Sequence, residues 1–139
     1  FAHRRKNIIS MFYKFQQGMS LLEKHSAETG KVYDLVIRMR PDLILHENLL
    51  DFDPNFMHTV AHRNHLGQGT GDMFHVSNMM NMILFSKLSC YIELVYQHTN
   101  LLCPHVLSTK WMEMLNMPWR EINLHKTIQH TPLGEYKEV

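Results

Sequence analysis

Only two cysteines stand in this chain, Cys90 and Cys103, and their separation matches no metal-binding or redox spacing such as C-x-x-C. Both are expected as free, buried thiols. Long apolar runs are missing too: a membrane span needs roughly 20 such residues, whereas the stretch from Met79 to Phe85 is short and interrupted by Asn81. No span is expected. Net charge is nearly absent, with 14 Lys and Arg against 13 Asp and Glu, so no long-range field gathers nucleic acid or a membrane surface. There is no internal repeat and no low-complexity tract. The chain opens on Phe1 without an initiator Met or a charged-then-apolar leader, and is read as an excerpt whose compartment is left open.

What is present suffices for one domain over residues 1–139, since 45% apolar and 19% charged residues are ordinary for a globular chain and too hydrophobic for a disordered one. Ile8, Phe12, Phe15, Met19 and Leu22 recur at helical spacing, which predicts a core-facing stripe that Gly30 stops. Val32, Leu35, Val36 and Ile37 then form a short β-branched run, expected as a central strand buried on both faces of a parallel sheet. Pro41 ends it, and Leu43 to Leu45 make a second extended piece. Met73 to Val76 reads as a short strand, Ser77 or Asn78 as the cap of a helix running on toward Tyr96, and Pro104 as the start of a helix carrying Leu107, Trp111 and Leu115. The fold class is α/β.

The segment Asp53 to Gly67 has two readings. As a helix it aligns His58, His62 and His65 on one face, a spacing that suits zinc; as a strand through Met57, Thr59 and Val60 it splays them. The eleven histidines otherwise scatter from His3 to His130 and form no dedicated cluster.

Chemistry is expected at YDLVIRMRPD, Tyr33 to Asp42, because Arg38, Arg40 and Asp42 stand at the carboxyl end of the apolar strand, where open α/β sheets bind ligands. Two arginines beside a buried run require anionic partners, either a local network with Asp34, Asp42 and Glu47 or the phosphates or carboxylates of a ligand.

Tyr33 to Leu45, YDLVIRMRPDLIL, resembles the signature of a largely uncharacterised group of glycosyltransferase-like proteins with the GT-A fold, YD-x-VIR-x-RPDL, followed 25 to 35 residues later by an acidic residue in a DQF-like context. Here that second element is Gly71, Asp72, Met73 and Phe74, and the likeness covers about Ile8 to Leu115. The resemblance implies a GT-A-like mixed sheet flanked by helices, as the C-terminal part of such a domain without the nucleotide-binding strands that normally precede the first helix. It favours the strand reading of Met57 to Val60. It also implies transfer of a sugar from a nucleotide-sugar donor to a hydroxyl of a glycan, protein or lipid. Arg40, Pro41 and Asp42 occupy the place of the D-x-D element, with arginine in place of its first aspartate. By that likeness Asp42 is the ligand for Mn²⁺ or Mg²⁺, or else Arg38 and Arg40 neutralise the donor diphosphate directly. Asp72, after a glycine-rich loop, is the candidate catalytic base. A noncatalytic binding or structural domain that keeps the fold is the other reading.

Overall fold

A computed structural model describes residues 2–45, 52–61, 70–122, 126–130 and 135–138. The first element, α1 (Ala2–Thr29), is a single 28-residue helix. Phe12 and Met19 are buried, with Ile8, Met11, Phe15 and Leu22 packed beside them, so the stripe read from the sequence is the packed one. Gly30 ends the helix at φ +69, donating its N–H to the Ser26 carbonyl at 2.9 Å; that left-handed geometry is the one glycine adopts without strain.

Four strands make the main sheet in the order β1 (Val36–Met39), β4 (Thr70–Ser77), β3 (Met57–Ala61), β5 (Trp119–Ile122). The β1–β4 and β3–β4 pairs are antiparallel and the β3–β5 pair is parallel, giving a mixed sheet. A second, antiparallel sheet joins β2 (Leu43–Leu45), β6 (Lys126–His130) and β7 (Glu135–Glu138). Three further helices follow β4: α2 (Met79–Ser86), α3 (Leu88–Thr99) and α4 (Pro104–Met114). Asn78 caps α2, its side chain accepting from the Asn81 N–H at 2.8 Å. The protein is therefore α/β, with helices packed over one face of the sheet.

Several expectations need correction. The run Leu35 to Ile37 is neither central nor in a parallel sheet: β1 is an edge strand, antiparallel to β4, with Ile37 and Met39 about half exposed at 44% and 45%. β4 is instead an inner strand, buried except at Asp72 and Met73, which are partly exposed; it reaches back to Thr70, so Asp72 lies within a strand and not in a loop. It holds the centre despite its polar residues, with strand ladders on both sides and part of its polar groups paired to side chains or turns. Ser77 Oγ donates to the Phe56 carbonyl at 2.9 Å, and Thr59 Oγ1 on β3 donates to the Gly71 carbonyl at 3.2 Å. The helix expected to run unbroken to Tyr96 is two helices parted at Lys87, whose N–H turns back to the Leu84 carbonyl. Cys90 is exposed and Cys103 partly so, rather than buried.

One core cluster lies between the helices and the sheet and includes Phe12, Met57, Met82, Phe85, Leu107, Trp111 and Met112; a smaller one on the opposite face holds Leu43, Val60, Phe74 and Val76. Trp111 is 6% exposed, stacks on Tyr91 with ring centroids 5.2 Å apart, and donates Nε1–H to the Leu84 carbonyl at 3.2 Å. Truncating it leaves a cavity and removes one of the donors to the Leu84 carbonyl, which keeps the Lys87 N–H. Trp111→Ala is expected to destabilise the fold by about 3 to 5 kcal/mol; urea unfolding measures it, and a loss too small to resolve would show that α4 is peripheral.

Candidate functional site

The last ladder bond of β1 and β4 runs from the Arg40 N–H to the Met73 carbonyl at 3.0 Å. Pro41 and Asp42 then turn the chain, the Leu43 N–H closes on the Arg40 carbonyl at 3.2 Å, and buried Leu43 anchors the exit into β2. Arg38, Arg40, Asp42 and Asp72 thus come together where β1 ends and β4 begins, although they lie 30 or more residues apart across the two segments.

Arg38 points inward. One of its guanidinium nitrogens, Nη1, donates to the Asp72 carbonyl at 2.5 Å and to His75 Nδ1 at 3.0 Å, and its Cζ lies 5.1 Å from the Phe15 ring centroid. No carboxylate among the described residues forms an ion pair with it. Burial lowers its pKa from the ordinary arginine value, the charge of Asp72 works in the opposite direction, and Arg40 adds to the lowering.

Arg40 points outward and chelates Asp42: Nε donates to one carboxylate oxygen at 2.9 Å and Nη2 to the other at 2.5 Å. That hydrogen bonding raises the Arg40 pKa. Of the ion-pair network expected on β1, this pair is the part observed; Asp34 is exposed, and Glu47 lies outside the described residues.

His75 is the residue that the sequence did not suggest. It sits opposite Arg38 in the strand register and is 1% exposed. Because Nδ1 accepts from Arg38, its proton is on Nε2, which is buried without a partner against the Phe85 ring, at a centroid separation of 4.8 Å. Burial, with the charges of Arg38 and His105, pushes its pKa well below the usual histidine value. Its position two residues before Ser77 on β4 could have marked it as facing Arg38 had the register been known.

A groove of about 500 Å³ opens beside this site, between α1 and β1. It is lined by Met11, Phe15, Met19 and Leu22 on the helix, with Lys14, Arg38 and Arg40 as its cations. Among the described residues there is no group of three His, Cys, Asp or Glu side chains able to hold a metal. The zinc reading fails at its first member, since His58 is in strand β3, with its ring nitrogen Nε2 against the Asp53 carbonyl at 2.8 Å; His62 and His65 lie outside the described residues. No described helix is long and apolar enough to cross a membrane.

Compared with protein-family models, with curated proteins and with solved structures, the chain matches none of them.

A histidine held neutral in the fold makes stability depend on pH. The unfolded chain protonates His75 below about pH 6.5 while the folded one does not, so the unfolded state binds more protons and stability falls as pH is lowered. For this one group the slope is at most about 1.4 kcal/mol per pH unit. Urea unfolding of the native protein and His75→Gln between about pH 7 and 5 is expected to show a shallower loss in the variant; parallel losses would mean that His75 is protonated in the fold.

Proposed function

We propose that the β1–β4 junction binds the diphosphate of a nucleotide sugar, and that the domain transfers the sugar to a hydroxyl acceptor as part of a GT-A-like fold. The observation that carries this reading is the meeting of Arg38, Arg40, Asp42 and Asp72 at one end of a mixed sheet, with Arg38 half-buried and in ion-pair contact with no described carboxylate. A half-buried guanidinium that no described carboxylate contacts as an ion pair favours an anion, and arginine meets phosphate with paired N–H bonds.

In this reading Arg40 exchanges Asp42 for a phosphate oxygen, at low cost because both side chains are substantially exposed, at 45% and 31%. The acceptor oxygen forms a bond to the anomeric carbon as the bond to the diphosphate oxygen breaks, and the nucleoside diphosphate leaves with that electron pair. Asp72, partly exposed on β4, takes the acceptor's proton, the role a general base fills in an inverting displacement. Mn²⁺ or Mg²⁺, when bound, supplies positive charge at the diphosphate, and Asp42 is the residue here that would hold it through one carboxylate alongside the substrate's phosphates.

A specific observation favours a second reading. The Arg40–Asp42 pair satisfies itself, as it would in a noncatalytic domain that keeps the fold. Screening the full-length protein for hydrolysis of a panel of nucleotide sugars, with and without Mn²⁺, separates the two.

Asp42→Asn is expected to abolish transfer with stability changed by less than about 1 kcal/mol, since an exposed pair contributes little. Asp72→Asn should slow transfer by about 10²- to 10⁴-fold, while Arg38→Ala should harm both activity and fold. Full turnover and an unchanged Mn²⁺ response in Asp42→Asn would overturn the reading.

A further inference from the structure

We propose that the groove between α1 and the outer edge of β1 is a seat for an extended segment of a second polypeptide, which joins the sheet as a strand beside β1. The inference rests on the strand edge and not on the sugar-transfer reading. Among the described residues β1 has β4 on one side and no strand on the other. Among the described residues the peptide groups along this edge thus have no strand to pair with, and another extended backbone would match them group for group.

Exposed edges of soluble proteins are commonly blunted by lysine, proline, bulges or inward charges. β1 lacks the first three of these. Its sequence VIRM contains neither lysine nor proline and its pairing with β4 carries no register shift, while its one charge, Arg38, is half-buried beneath the Phe15 ring of α1, bonded to β4 and lining the groove. Ile37 and Met39 are instead left about half exposed.

The groove has the dimensions of one strand. Four residues of β1 run about 13 Å, and the helix wall from Met11 to Leu22 runs about 16 Å. That wall presents Met11, Phe15, Met19 and Leu22 to the space beside β1. A strand lying there directs every second side chain at this apolar wall, so the occupant carries apolar residues at alternate positions. Lys14 lines the same groove and has no ion-pair partner among the described residues, which suits an acidic residue at the segment's end. A second copy of this chain fits less well, because edge-to-edge pairing would bring two α1 helices over the same slot.

The test uses a fluorescein-labelled, end-blocked hexapeptide of alternating valine and threonine closed by glutamate. A control peptide is N-methylated at alternate amides, which removes backbone donors and keeps the side chains. The unmethylated peptide is expected to bind saturably, and the control about tenfold more weakly. Gly18 faces the groove with nothing within 4 Å of the place a Cβ would take, so Gly18→Leu fills the seat without touching the core, and a helix favours leucine over glycine. The variant is expected to lose peptide binding with an unchanged or raised melting temperature. No saturable binding, equal binding of the methylated peptide, or full binding by Gly18→Leu overturns the proposal. So does sedimentation showing a dimer that Gly18→Leu dissociates, which would assign the groove to a second copy.

Discussion

The guanidinium of Arg38 is gripped by three elements at once: the chain of β1 that carries it, the Asp72 carbonyl and His75 ring of β4, and the Phe15 ring of α1. Taking a charge out of water costs several kcal/mol. Two charge-assisted hydrogen bonds return about 1.5 to 3 kcal/mol each, and a cation over a ring about 0.5 to 2. These terms roughly offset one another, so the arginine holds the edge of the sheet in place without much surplus. Its consequences spread outward from there. His75 has to stay neutral and present Nδ1 as an acceptor, and the last turn of β1 is set where Arg40 and Asp42 meet β4.

How much of this could be read in advance depended on whether a residue's neighbours were close in sequence. The stripe of α1, its glycine stop, the Asn78 cap and the Pro104 start are local features, and each stands where the pattern placed it. The strand at Met57 was correctly preferred over a helix. Hydropathy misplaced the centre of the sheet, because the apolar residues Leu35 to Ile37 outscore a strand that contains Thr70, Asp72, His75 and Ser77. Ser77 is held at the centre by bonds to the Asp53–Phe56 turn and His75 by Arg38 of β1, contacts across twenty or more residues that no window reveals.

The candidate site was partly legible for the same reason. Arg38, Arg40 and Asp42 lie within five residues, and the motif marked them together. Alternation would place both arginines on one face; they differ because Arg38 lies under the Phe15 ring of α1, while Arg40 falls past the end of the strand at Met39, where the turn brings Asp42 to it. The pairing of Arg38 with His75 requires the antiparallel register across 37 residues.

Gly71, next to Asp72, approaches β3 so closely that a Cβ there would lie 2.6 Å from the Val60 carbonyl oxygen. The contact falls where the β3–β4 register shifts between Thr59 and Ala61. Any side chain at this position has to push β4 outward, and the carbonyl that Arg38 grips moves with it. Residue 71 therefore works as a gauge that sets the spacing of two strands and, through it, the depth at which a positive charge is seated. A sequence that drifts at this one position would retune the charge site without altering any residue that belongs to it.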